Sequence, residues 1–199
     1  TQNKNPCSPK LWTELTSLTF GKNIIFLPIR TIEKEILRLN PTLKEAKIKK
    51  KLPDKLIFEL KEREEAIVLG FDGVDEFLIV DKEGVVLGKE KKSNLPLVLL
   101  KEPLKLDIGQ KIKEEKVIQA INFLTHLRLN LFEPKIAKIV SPYSLEVELK
   151  DDLVTTFSFK KETQIQIDSL QFILSRAKIE GKGIKKIDLR FDKPVVTYE

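Results

Sequence analysis

Residues 47–64 read KIKKKLPDKLIFELKERE. The lysines suggest a basic arm; the residues between them suggest a folded corner. Ala46 and Ile48 alternate with Lys47, Lys49 and Lys51, and after Pro53-Asp54 the residues Leu56, Phe58 and Leu60 alternate with Lys55, Glu59 and Lys61. Period two on both sides of a Pro-Asp turn predicts a β-hairpin with one buried face. Lys47, Lys49 and Lys51 then line the outward face. Lys50 falls on the inward phase near the strand's end, with its stem along apolar surface and its head reaching water.

Upstream, TQNKNPCSP (1–9) is polar and broken by proline. Ser8 as N-cap and Pro9 at the first helical position predict a short helix over Leu11–Leu18, ended by Gly21. In FLPIRTIEKEILRLNP, the residues Ile29, Ile32, Ile36, Leu37 and Leu39 fall mostly on one helical face before Pro41 stops the run. Helix, helix, strand, strand is a compact α+β unit.

From Ala66 the texture changes. AIVLGF, EFLIVDKEG and VVLGKE are short apolar strands punctuated by Gly70, Gly73, Gly84 and Gly88. A helix is expected over 114–132, then strands in PKIAKIVSP, YSLEVELKD and DLVTTFSFKK, then a helix over 166–180. In the closing KKIDLRFDKPVVTYE, Ile187, Leu189 and Phe191 alternate with Asp188, Arg190 and Asp192, which predicts one last strand. Pro194 cannot donate to a ladder, so from there on it belongs at a sheet edge.

Composition narrows the chemistry. Residues 1–65 carry 14 Lys/Arg against 9 Asp/Glu, and residues 66–199 carry 22 against 21, so the net charge of +6 is mostly local to the first part. The single cysteine, Cys7, excludes an internal disulfide and a multi-cysteine zinc site. There is no methionine, even at position 1, so a processed or trimmed piece is expected. The longest apolar runs, IIFLPI and LPLVLL, are too short to cross a bilayer, and any membrane segment is expected upstream of Thr1.

No catalytic set is legible. His126, the only histidine, sits among Leu124, Leu127 and Leu129, which predicts a partly buried structural role. Cys7 has no partner histidine. FDGVDEFLIVDKEG lacks calcium-loop spacing and reads as two hairpin turns. Neither GxGxxG nor a Walker run occurs, and Asp151-Asp152 reads as a turn. Single-strand nucleic-acid binders expose aromatics among their cations, but Phe58 shares the buried phase and aromatics make up only 7% of the chain. No nucleic-acid partner, cofactor or metal is expected.

Taken in order, the segments resemble the FtsQ/DivIB family of bacterial cell-division proteins. Pro41, Ala46, Ile48, Lys50, Pro53, Leu56, Phe58, Glu62, Arg63 and Ala66 match that family's POTRA line. LIVDKEGVVL (78–87), NLPLV (94–98) and KKIDLRFDKPVV (185–196) are similar to segments of its second domain. Lys50 stands where the family has Arg, and Glu65 where Pro is common after Glu-Arg. The family's POTRA domain opens with a strand that nothing before Leu11 matches. That strand, with an N-terminal transmembrane helix, is expected upstream of Thr1.

The resemblance implies an α+β fold: a POTRA-like domain over 1–66, truncated at its start, and a mixed β domain with two helices over 67–199. It implies a non-enzymatic division scaffold on the outer face of the cytoplasmic membrane, at the septum. Its partners would be small single-pass proteins of the FtsB/DivIC and FtsL type, pairing by strand addition with the last strand. On that strand Phe191, Val195, Val196 and Tyr198 would supply apolar contacts, and Arg190 and Lys193 would pair with acids. Lys47, Lys49 and Lys51 are a second candidate surface, for anionic lipid or an acidic partner. The alternatives are a POTRA-bearing protein of membrane transport or outer-membrane assembly, and a basic nucleic-acid binder.

Overall fold

The computed structural model of the chain describes residues 9–198, so the Ser8 cap and Cys7 lie outside the described residues. The chain divides into two compact units, 1–64 and 65–199. Glu65 and Ala66 open the first strand of the second unit.

The first unit contains helices α1 (Pro9–Thr19) and α2 (Ile29–Leu39) and strands β1 (Leu43–Lys51) and β2 (Lys55–Glu62). Ala46 and Ile48 are buried and their lysine neighbours exposed, as the alternation predicts. The strands pair antiparallel with Ile48 opposite Phe58 and Lys51 opposite Lys55, so the turn falls on Leu52–Asp54. Leu11, Leu15, Leu27, Ile32, Ile36, Leu43, Ala46 and Ile48 form the core. Leu39, expected on the buried face of α2, is instead exposed. The Glu33 carboxylate of α2 accepts the Ile48 backbone N–H at 2.8 Å, which covers one polar group of β1.

Among the described residues the second unit is one nine-stranded mixed sheet with two α-helices. Its strands are β3 (Glu65–Phe71), β4 (Val74–Asp81), β5 (Val86–Glu90), β6 (Leu97–Leu100), β7 (Pro134–Ser141), β8 (Ser144–Leu149), β9 (Val154–Ser158), β10 (Ile184–Asp188) and β11 (Val195–Tyr198). Their spatial order is β11-β10-β9-β8-β7-β6-β3-β4-β5. The pairs β3–β6, β6–β7 and β9–β10 are parallel and the rest antiparallel. A parallel pair needs a crossover of a dozen residues or more. Helix α3 (Glu115–Leu129) lies in the crossover from β6 to β7, and α4 (Thr163–Glu180) in that from β9 to β10.

Both helices pack on the sheet in a shared core. It includes Ile121, Leu124 and Leu127 of α3, Ile167 and Leu170 of α4, and Phe157 of β9. The rings of Phe123 and Phe157 lie 4.5 Å apart and tilted by 44°, a favourable arrangement for aromatic pairs. The two turns read in FDGVDEFLIVDKEG join β3 to β4 and β4 to β5. At the second, Asp81 Oδ1 accepts the N–H groups of Glu83 and Val85. Asp151 and Asp152 form the turn after β8, each at φ 59°.

Two further expectations change. His126 is exposed, its Nδ1 2.8 Å from the Asn122 carbonyl, and Leu129 faces solvent as well. On a helix of 3.6 residues per turn, Leu124 and Leu127 share the inward stripe while 126 and 129 lie off it. The closing segment is two strands rather than one: β10 ends at Asp188, and β11 returns antiparallel beside it from Val195. No helix among the described residues is long and apolar enough to cross a membrane.

Candidate partner-binding edge

The chain reaches the end of the sheet through a turn built by Asp188. Leu189 is buried and donates its N–H to Thr156 O at 2.8 Å, which extends the parallel ladder one step past β10. The Asp188 carboxylate then takes hold of Arg190: Oδ1 accepts the Arg190 backbone N–H (3.0 Å) and Nε (2.9 Å), and Oδ2 accepts Nη2 (2.6 Å). A carboxylate answered by a guanidinium fork is stabilised in its charged form. The Arg190 hydrogen bonds accordingly hold the Asp188 carboxyl below its ordinary range.

Past this turn, the Arg190 guanidinium lies 5.6 Å from the centre of the half-exposed Phe191 ring, and Lys161 pairs with Asp192 at 3.1 Å. Ile165, Ser169, Leu189, Phe191 and Pro194 line an open groove of about 350 Å³ here. Strand β11 then pairs Val195 with Asp188, Val196 with Ile187, Thr197 with Lys186 and Tyr198 with Ile184. Its other side has no strand partner among the described residues.

The six residues expected on one edge strand therefore separate. Arg190, Phe191 and Lys193 lie in the connection, while Val195, Val196 and Tyr198 lie on β11. Val196 is partly buried against the core, so its side chain offers a newcomer less than those of Val195 and Tyr198. Val195 and Tyr198 are exposed, with Lys182 Nζ 5.5 Å from the Tyr198 ring centre. The turn residues of FDKP at 191–194 were the available signal for the break.

The opposite edge is different. Residues 109–112 run beside β5: Val86 donates to Gln110 O, Gly109 to Val86 O, and Ile112 to Gly84 O. This covering reaches only the first residue of β5, Val86, and leaves residues 87–90 open on that side among the described residues, a partial form of the usual protection of a sheet edge. β11 has none among the described residues.

The second candidate surface is partly neutralised. Lys47 pairs with Glu45 at 2.6 Å and Lys49 with Glu59 at 2.5 Å, and Lys51 is exposed at the strand's end. Salt-bridging raises the Lys47 ammonium above its ordinary range through the Glu45 hydrogen bond. Lys50 does more than reach water, because its Nζ donates to the Ile25 carbonyl at 2.7 Å and ties the hairpin to the loop after α1. Among the described residues no cluster of three or more His, Cys, Asp or Glu side chains is placed to hold a metal ion.

Residues 13–63 match the POTRA domain family of the FtsQ type. The chain is 37% identical over 106 residues to cell division protein DivIB of Clostridium botulinum (strain Hall), covering 50% of this chain and 40% of that protein. It is 33% identical over 108 residues to cell division protein DivIB of Clostridium tetani (strain Massachusetts), covering 53% and 39%. The chain thus spans about two fifths of the length of these curated relatives. The FtsQ-type POTRA domain and the similarity to DivIB proteins bear out the resemblance to the FtsQ/DivIB family.

Proposed function

We propose that this chain is the extracytoplasmic part of a non-enzymatic cell-division scaffold. Its strand β11 takes up an extended segment of a small single-pass division protein of the FtsB/DivIC or FtsL type, and through it the scaffold helps regulate septal peptidoglycan synthesis. The observation that carries this reading is the outer edge at β11: among the described residues it ends the ladder with no strand or covering segment beside it, whereas β5 at the other edge is covered at its start, Val86, by residues 109–112. An unpaired row of N–H and C=O groups is a template for strand addition, with main-chain bonds giving affinity and side chains giving choice. Val195 and Tyr198 flank that row, and Phe191 opens onto the neighbouring groove. Anchoring by a helix upstream of Thr1 and placement at the septum belong to the same proposal, supported by the similarity to DivIB proteins.

The test is calorimetric titration of residues 1–199 with the partner's extracytoplasmic segment. Phe191→Asp and Tyr198→Asp should each weaken binding by about 2 kcal/mol, as aromatic anchors do. Unchanged affinity in both folded variants sinks the assignment.

A further inference from the structure

Helix α4 buries Gln166, Ile167, Leu170 and Ala177. Its solvent face carries three large apolar side chains: Ile165 is 59% exposed, Phe172 68% and Ile179 87%. They recur every seventh residue. Seven residues fall about 20° short of two helical turns, so the three lie in a band roughly 40° wide and about 21 Å long. A single exposed apolar residue needs no explanation. A line of them at heptad spacing supplies one of the two apolar positions per heptad along which helices pair.

The residues flanking Phe172 say which helix fits. Ile165 and Ile179 stand seven positions before and after it, Asp168 and Arg176 four, and Ser169 and Ser175 three, all within the helix. Laid against itself in reverse, the segment sets apolar against apolar, small against small, and acid against base. The helix macrodipole favours acids early and bases late. It gives no reason for bulky apolar residues at mirrored positions on a wet face.

The geometry points to a second copy of this chain as the occupant: α4 pairs antiparallel with α4 of another copy about a two-fold axis at Phe172. Such an isologous contact is the commonest kind among homo-oligomers. Asp168 of one copy then faces Arg176 of the other, twice by symmetry. To do so Asp168 leaves the Gln164 amide (2.8 Å) and Arg176 leaves Glu180 Oε1 (2.9 Å), both exposed contacts within one helix. Glu180 keeps Lys182 at 2.8 Å. One helix pair is a small interface, on the order of 800 Å² in total, so the pairing is reversible and weak. This inference does not rest on the β11 reading.

Sedimentation velocity of residues 1–199 from about 5 to about 500 µM reads the pairing directly. The wild-type chain should pass from monomer to dimer across that range. Phe172→Glu and the milder Phe172→Ser should stay monomeric with an unchanged circular dichroism spectrum. Asp168→Arg and Arg176→Asp should each weaken pairing roughly tenfold, and the double reversal should restore it, because the charges are exchanged rather than lost. Orientation is read by oxidation in a Cys7→Ser background. A chain carrying Ile165→Cys and Ile179→Cys should form a covalent dimer, and one carrying Ile165→Cys alone should not. A chain that stays monomeric throughout, including one whose α4 instead captures an unrelated helix, overturns the inference. So do a dimer indifferent to Phe172→Glu, a double reversal without rescue, or crosslinking through Ile165→Cys alone.

Discussion

The side-chain amide of Gln166 grips both polar groups of Ser158: its Oε1 accepts the Ser158 N–H at 2.8 Å, and its Nε2 donates to the Ser158 carbonyl at 2.9 Å. Both residues are buried. A glutamine at the start of α4 thus closes the end of β9, where the strand's own ladder stops. Replacing Gln166 with Leu leaves the Ser158 groups without water or partner. Each such orphan costs about 1–3 kcal/mol. Urea unfolding of Gln166→Leu should show a loss of about 3 kcal/mol with an unchanged slope.

Two glycines share a left-handed backbone and differ in room. Gly84 has φ 78°, and a Cβ there would meet Ile118 Cδ1 at 2.4 Å, whereas Gly181 has φ 65° and nothing within 4 Å. Gly181 also closes α4, with the Lys182 N–H returning to Ala177 O at 3.0 Å. Gly181→Ala should cost about 1 kcal/mol, the left-handed penalty alone. Gly84→Ala also displaces the end of the Ile118 side chain and should cost about 2 kcal/mol, more than Gly181→Ala. Thermal unfolding of the two variants side by side separates these terms.

Leu127 and Leu129 differ by two positions on α3 and by 0% against 73% exposure. Leu127→Ala opens a cavity in the shared core and should destabilise by about 3 kcal/mol. Leu129→Ala should move stability by less than about 0.5 kcal/mol. Guanidinium melts of both variants check the contrast.

The Asp188–Arg190 turn predicts an acid-side dependence. The Asp188 carboxyl is lowered in the folded chain by the Arg190 hydrogen bonds, while in the unfolded chain it titrates at about 3.9. A group lowered on folding contributes stability above its unfolded value and loses it as pH falls through the folded one. That contribution is therefore complete above about pH 5 and lost progressively on acidification below about pH 4. Arg190→Gln should raise the Asp188 titration midpoint, followed by carboxyl NMR, and cost about 0.5 kcal/mol at neutral pH. An Asp188 midpoint that does not move would falsify the arrangement.

Much of this architecture is readable where apolar period and turn chemistry agree. The hairpin at 47–64 alternates on both sides of Pro53, and β3 to β5 are marked by glycines at their turns, so local pattern and pairing coincide. Helices α3 and α4 show their inward stripes. Periodicity fails where the same pattern serves two structures. Ile187 and Leu189 are both buried, so the alternation runs straight through the end of β10. What turns the chain is the Asp188 grip on Arg190, a contact that spacing does not announce. The first turn of α4 is hidden for the opposite reason, since Ile165 there faces solvent. Gln166 is invisible to sequence reading because its value lies in Ser158, a residue on another element. Of the edge residues, Val195 and Tyr198 keep the exposed placement that the pattern suggests, while Val196 turns inward and Arg190, Phe191 and Lys193 belong to the turn.

Among the described residues, the four of β11 are held to the sheet by β10 alone. Opening them breaks one short ladder, whereas opening β8 breaks two. Their amides should therefore take up deuterium soonest among the strands of this unit. A strand seated on the outer side would lock the same amides from both directions. Deuterium uptake at Val195–Tyr198 is thus a direct gauge of how much of the edge is occupied.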